Sequence, residues 1–133
     1  MKKYIIAALL LHMAIYSASA QDADAILGIW HSPHGHTDIQ IIKKDNLYSG
    51  VTTSLKENHP GHLSSGPDTG VVILKDFKHR RRGIYNGGKV LDSKSGRSYN
   101  GQMKLINNDR LDIRIFFGII QFGRTETWTR VKE

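Results

Sequence analysis

The sequence contains no cysteine in its 133 residues. This absence excludes a disulfide framework, a cysteine nucleophile and the lipid-attached cysteine of a bacterial lipoprotein. Catalytic signatures are missing as well, since there is no Gly-x-Ser-x-Gly elbow, no His-Glu-x-x-His and no phosphate-binding glycine loop leading into a helix. The spacing of Asp92, Asp112 and Glu126 gives no reason to expect a catalytic carboxylate pair. The sequence therefore predicts a protein that is not an enzyme, carries no cofactor and forms its core by burial alone.

The sequence also lacks an apolar run long enough to cross a bilayer, which takes roughly 20 residues. Its longest apolar run, Tyr4–Tyr16, follows Lys2 and Lys3 and precedes the small residues Ser17–Ala20. This order is typical of a signal peptide, with cleavage after Ala20. We expect residues 1–20 to be a signal peptide, residues 21–133 to be one domain without a transmembrane segment, and the product to be periplasmic or secreted. Cleavage would leave 17 basic and 12 acidic side chains, a net charge of +5.

No helical period occurs beyond the leader, and short alternating runs divided by turn residues predict antiparallel strands. Eight strands are predicted, at residues 26–31, 37–42, 47–54, 70–74, 84–91, 98–106, 110–117 and 122–131. A charged turn is expected at residues 75–82 and a long irregular loop at residues 55–69. Eight such strands can stack as a sandwich or close into a barrel. The sequential hairpins favour an all-β, eight-stranded antiparallel up-and-down barrel.

The interior of such a barrel is narrow, so side chains fill it or it holds one small ligand. The clearest alternation puts Tyr99, Gly101, Met103 and Leu105 on one face of their strand. If the meander closes, alternation predicts an inward set that would contact a small apolar or amphipathic ligand: Ile39, Ile41, Val51, Tyr99, Met103, Leu111, Ile113 and Ile115. The alternative is that the same residues fill the interior completely.

Four short stretches occur in a characteristic order: Ile26–Trp30, Asn86-Gly87-Gly88 leading into Leu91-Asp92, Gly96–Tyr99 and Gly123–Val131. Together they resemble the bacterial family known as domain of unknown function 2147. The resemblance implies an exported, lipocalin-like barrel and no particular activity. The chain departs from the family at Tyr85 and Ser93, where members commonly carry Trp and Pro. It departs again in its loop 57–69, which is rich in His, Gly and Ser, so its ligand is expected to differ.

The resemblance also implies a structural role for the Gly-x-Trp at the first strand. In lipocalin-like barrels this Trp packs at the closed end, and a basic side chain from the last strand lies over its indole in a cation–π contact. Arg130 or Arg124 could supply that side chain here. The residues predicted to close the barrel are Gly28, Trp30, Trp128, Arg124 and Arg130.

Histidines supply the one metal-like pattern, because imidazole suits Zn, Cu or Ni. His31, His34 and His36 flank a turn containing Pro33, and His59 and His62 lie in the long loop. No helix fixes this spacing and no cysteine supports it. We expect exposed turn histidines and no metal, with metal binding left as a minor alternative.

A basic cluster at Lys78–Arg82 supplies a second functional hypothesis. It could contact anionic lipid or polysaccharide and make the protein an envelope interaction module. No aromatic residues alternate with these cations, as binding of single-stranded nucleic acid would require, so no nucleic-acid partner is expected. A solvated turn is the simpler interpretation of the cluster.

Overall fold

The computed structural model describes residues 22–33, 37–53, 70–92 and 95–132. A 3₁₀ helix precedes eight strands within these ranges. The helix spans Asp24–Ile26, and the strands are β1 (Gly28–His31), β2 (Asp38–Lys44), β3 (Leu47–Thr52), β4 (Val72–Arg81), β5 (Ile84–Leu91), β6 (Ser98–Asn107), β7 (Arg110–Phe116) and β8 (Gly123–Arg130). The predicted signal peptide lies outside the described residues.

The strands form a closed antiparallel barrel in which each strand pairs with the next along the chain. The barrel closes where Trp30 and His31 of β1 pair with Arg130 and Thr129 of β8. The predicted eight-stranded up-and-down barrel is therefore confirmed. No helix in the described part of the chain is both long and apolar enough to span a bilayer.

Strand β4 is the main departure from the predicted elements. Residues 75–82 were expected to form a charged turn, yet β4 continues to Arg81 and the turn lies at Arg82–Gly83. The strand continues because Phe77 and His79 lie on its inward face, while Lys78 between them lies on the outward face. Asp76, with a positive φ of 59°, lies where the pairing of the strand is irregular. The predicted basic turn at 78–82 is thus mostly strand.

The first predicted strand also begins later than expected. Ile26 belongs to the 3₁₀ helix, where the Leu27 amide donates a hydrogen bond to the Asp24 carbonyl over 3.1 Å. Ile26 is fully buried in this position. The apolar residues before Gly28 thus serve the core as a short helix and not as a strand.

The up-and-down order gives the barrel two distinct ends. The 3₁₀ helix and the tight turns after β2, β4 and β6 lie at one end, which we call the helix end. The connections after β1, β3, β5 and β7 leave from the other end, which we call the loop end. The buried core runs between them and is formed by Ala23, Ile26, Trp30, Ile39, Ile41, Tyr48, Leu74, Phe77, Tyr85, Val90, Met103, Leu111, Ile113 and Trp128.

Candidate functional site

The helix end is sealed by an arginine stacked on a tryptophan. The guanidinium carbon of Arg130 lies 4.3 Å from the centroid of the buried Trp30 ring, a cation–π distance. The same guanidinium donates to the carbonyls of Leu27 at 2.7 Å and Ala25 at 2.6 Å. Burial lowers the pKa of Arg130 from its ordinary value. Gly28 leaves room for this contact, since a Cβ there would lie 2.7 Å from Arg130 Nη1.

Two tyrosines fasten the 3₁₀ helix to the barrel wall. Tyr48 and Tyr85 meet edge to face with centroids 5.1 Å apart. The Tyr48 hydroxyl donates to the Asp24 carboxylate at 2.7 Å, and the Tyr85 hydroxyl donates to the Ala23 carbonyl at 2.5 Å. Burial raises the pKa of both phenols, while the hydrogen bond from Tyr48, assisted by one from Lys43, lowers the pKa of Asp24. The helix end is therefore held by a connected polar network.

The middle of the barrel is filled by Phe77. Its ring lies over the paired glycines Gly88 and Gly101, where added Cβ atoms would approach the ring to 2.4 Å and 2.8 Å. Larger residues at these two positions would exclude the ring from the interior. Between Phe77 and the sealed helix end the barrel is therefore a packed core, and any open volume belongs to the loop end.

Toward the loop end, the inward face becomes partly exposed. Tyr99 and Ile115 are half-buried there. Tyr99 pairs with Val90 and Ile115 pairs with Arg124, and both residues continue the alternation of buried residues along their own strands, so they lie on the inward face. Glu126 shares this face of β8 with Trp128, and its side chain is 18% exposed. Its carboxylate lies 3.5 Å from the guanidinium of Arg124, which is 70% exposed at the rim. An apolar wall and one carboxylate–guanidinium pair thus meet at this end.

Two buried polar atoms have no hydrogen-bond partner in the described part of the chain. They are Nε1 of Trp128 and Nε2 of His79. The His79 ring packs against Tyr85 with centroids 5.1 Å apart. Buried polar atoms without partners are uncommon, because leaving one unpaired costs about 1–3 kcal/mol. His79 lies beyond Phe77 in β4 and Trp128 lies two residues before Arg130 in β8, so both atoms belong to the packed part of the barrel and not to the loop end.

Seven of the eight predicted ligand-contacting residues lie on the inward face. Ile39, Ile41, Met103, Leu111 and Ile113 are fully buried, and Tyr99 and Ile115 are half-buried. Val51 was expected to face inward, and this is wrong. The buried residues of β3 are Tyr48, Gly50 and Thr52, so Val51 lies on the outer face beside Val72. Tyr48 sets this alternation because its hydroxyl must reach Asp24.

The two arginines considered for the Trp30 contact lie at opposite ends of β8. Arg130 stacks on Trp30 at the helix end, whereas Arg124 is at the loop end and pairs with Glu126. Arg124 therefore has no part in closing the helix end. Phe77 and Glu126 are interior residues that were not predicted from the sequence. For Glu126 the signal was available, since it alternates with Trp128 and Arg130 along one strand face.

The remaining candidate groups do not converge. His31 pairs with Asp38 on the barrel exterior, and His34, His36, His59 and His62 lie outside the described residues. No group of three or more potential metal ligands occurs in the described ranges. Asp112 faces outward, where Arg110 and Thr127 donate to it, on the opposite side of the sheet from Glu126.

Comparison with known proteins agrees with this architecture. A family model described as an uncharacterized protein conserved in bacteria, DUF2147, matches residues 28–130. A solved structure of protein HP1028 from Helicobacter pylori, described as belonging to the lipocalin family, superposes with a TM-score of 0.68. That alignment covers 81% of this chain and 84% of the other at 20% sequence identity, so the likeness is one of fold. Comparison with curated proteins gave no match.

Proposed function

The chain belongs to the DUF2147 family and has a lipocalin-like fold, and from these two premises we propose that it binds one small amphipathic ligand at the loop end of its barrel. The observation that carries the proposal is the contrast between the two ends. The helix end is sealed by Arg130 and Trp30, while the inward face at the loop end carries half-buried apolar side chains beside a carboxylate. Apolar walls with a few converging polar groups are typical of small-molecule sites.

The chemistry of the site favours a ligand with one apolar and one polar part. Tyr99, Ile113 and Ile115 would contact the apolar part. Glu126 and Arg124 would contact the polar part near the rim, where the exposed guanidinium can turn toward an acceptor and the carboxylate can accept from a donor. Phe77 limits how deeply the ligand enters. The ligand is therefore short, and it is held near the rim.

We assign the site a binding role and not a catalytic one. Within the described ranges, the inward polar groups are spread over the barrel, and Glu126 forms an ion pair with Arg124. Export remains part of the proposal and rests on the sequence pattern of residues 1–20. The mass of the mature protein purified from a cell-envelope fraction tests it, because cleavage after Ala20 removes a defined mass.

Ligand binding is tested by native mass spectrometry together with titration of the apolar fluorophore N-phenyl-1-naphthylamine. We expect protein purified without denaturation to carry a discrete added mass that leaves on unfolding. We also expect the fluorophore to bind with little dependence on salt. Ile115→Trp should weaken this binding at least tenfold, because it fills the loop-end interior.

Ile42→Trp is the matched control, since Ile42 is 42% exposed on the outer face. It should leave fluorophore binding unchanged. Equal binding by the wild-type protein and Ile115→Trp would contradict the site. A bare polypeptide mass, together with no fluorophore binding, would indicate that side chains fill the interior completely.

A further inference from the structure

The connection between β7 and β8 exposes an unusual set of large apolar side chains. Phe117 and Phe122 are 79% and 70% exposed, and Ile119 and Ile120 lie exposed between them. We call residues 117–122 the apolar tip. Single exposed apolar residues are ordinary, but four in one six-residue connection form a contiguous patch that marks an interaction site.

The apolar tip is a structured turn. The Phe117 amide donates to the Phe122 carbonyl over 3.0 Å, and the Phe122 amide donates to the Ile119 carbonyl over 3.0 Å. Arg114 fastens the turn from the outer face of β7 by donating to the carbonyls of Ile120 at 3.1 Å and Gln121 at 3.3 Å. Two amides and four carbonyls of the turn are thus bonded within the protein, while its large apolar side chains stay exposed.

The charged residues closest to the tip in the sequence are both arginines. No acidic residue occurs in the sequence between Asp112 and Glu126, whereas Arg114 and Arg124 flank the tip on its two strands. Glu126, the nearest carboxylate along β8, faces inward and pairs with Arg124. The whole chain carries a net charge of +7. An apolar wedge between two arginines matches a surface that is anionic at its face and apolar beneath it.

From these observations we infer that the apolar tip inserts into an anionic lipid bilayer surface. Apolar side chains entering the boundary between headgroups and acyl chains, with cations at headgroup level, give peripheral binding of this kind. A second protein chain fits less well, because a standard interface takes roughly 800 Å² and 20–30 residues on each partner. A six-residue projection by itself falls well short of that size.

This surface differs from the basic segment at Lys78–Arg82. That segment runs down β4 to the helix end, where Arg80 Nε donates to Asn86 at 2.8 Å. The apolar tip lies at the loop end. Insertion of the tip would therefore present the loop end to the bilayer. If the proposed ligand site is correct, that orientation would let an amphipathic ligand pass between bilayer and barrel.

The test is co-sedimentation of the protein with vesicles of phosphatidylglycerol and phosphatidylethanolamine, in the absence of any fluorophore or ligand. We expect wild-type binding that weakens with salt and a loss of at least tenfold in Phe117→Ser/Phe122→Ser. The matched control is Ile42→Ser/Ile106→Ser, which removes two apolar residues of 42% exposure at the helix end. The control should bind as the wild type does.

Fluorescence gives an independent measure of insertion. Both native tryptophans are buried, so an indole placed by Phe117→Trp should show a blue shift on vesicle addition and quenching by brominated lipid. Wild-type binding by Phe117→Ser/Phe122→Ser would overturn the inference, as would loss of binding confined to Lys78→Glu/Arg80→Glu. A dimer in sedimentation velocity that this tip variant converts to monomer would assign the tip to a second copy instead. Because no ligand takes part, failure here leaves the ligand-binding test untouched.

Discussion

At the scale of single residues, Arg130 connects Trp30, the segment before β1 and the turn between β6 and β7. Its guanidinium stacks on the indole ring and donates hydrogen bonds to two carbonyls in the segment before β1. It also donates a hydrogen bond to the Asn108 carbonyl. A planar guanidinium can stack on the ring and donate to all three carbonyls at once, whereas the ammonium group of lysine cannot reproduce this arrangement of donors. The position therefore requires arginine for its shape as well as its charge.

We expect Arg130→Lys to lower the free energy of unfolding by about 2 kcal/mol, because at least one partly buried carbonyl loses its donor and the stacking weakens. Arg124→Lys is the matched control on the same strand. Its pair with Glu126 is largely solvent-exposed on the arginine side, so the change should stay within about 0.5 kcal/mol. Urea denaturation followed by tryptophan fluorescence measures both. Equal effects at the two positions would contradict the assignment of Arg130 as the closing residue.

At the scale of elements, the 3₁₀ helix has no independent stability and depends on its hydrogen bonds to the barrel. The bond from Tyr48 to the Asp24 carboxylate is the one that pH can break. Because the folded protein lowers the pKa of Asp24, this group stabilises the fold above its ordinary value of 3.8. The contribution is lost as pH falls through the lower, folded value.

We therefore expect Asp24→Asn to be less stable than the wild type at pH 6, and the difference to shrink as pH falls below about 4. Tyr48→Phe should cost about 1 kcal/mol at pH 6 by removing the donor. This substitution should also make the free energy of unfolding fall less steeply as the pH becomes acidic. Thermal or urea unfolding at a series of pH values measures these differences. A difference between wild type and Asp24→Asn that is constant from pH 6 to pH 3 would be inconsistent with the Asp24 bond.

Strand β4 shows what sequence pattern could and could not predict at this scale. Most strand bounds followed from alternation, as in β6, where Tyr99, Gly101 and Met103 share the inward face as predicted. Alternation failed in β4 because a run of cations hid it and because Asp76 interrupts the period. Val51 failed for a related reason. Apolar character alone did not reveal that Tyr48, through a hydrogen bond to Asp24, sets the face of β3.

At the scale of the whole molecule, the barrel could be predicted because every connection joins neighbouring strands, so local hairpins nearly determine the topology. The interior could not be predicted to the same depth. Whether Phe77 or a ligand occupies the middle depends on two glycines, Gly88 and Gly101, that pair across strands thirteen residues apart in sequence. The pair of Glu126 with Arg124 likewise could not be assigned to the interior before the closed barrel showed that their face of β8 points inward.

Closure itself is uneven around the barrel, and this has a dynamic consequence. Strands β7 and β8 pair over seven residue positions, whereas β1 and β8 pair over two. The amide of Val131 adds one hydrogen bond to the carbonyl of Ile29 at 2.9 Å. Arg130 bridges the same seam through the carbonyls before β1. We therefore expect the barrel to open at lowest free energy at the seam between β1 and β8.

We expect native-state hydrogen exchange to show this order directly. The amide of Val131 should exchange through a local opening, while amides between β6 and β7 should exchange through global unfolding. Arg130→Lys should speed exchange at the seam more than its loss of global stability accounts for. Arg124→Lys should not. If the seam and the β6–β7 amides keep the same opening free energy in every variant, the barrel opens as one cooperative unit, and the arginine acts on global stability without a separate role at the seam.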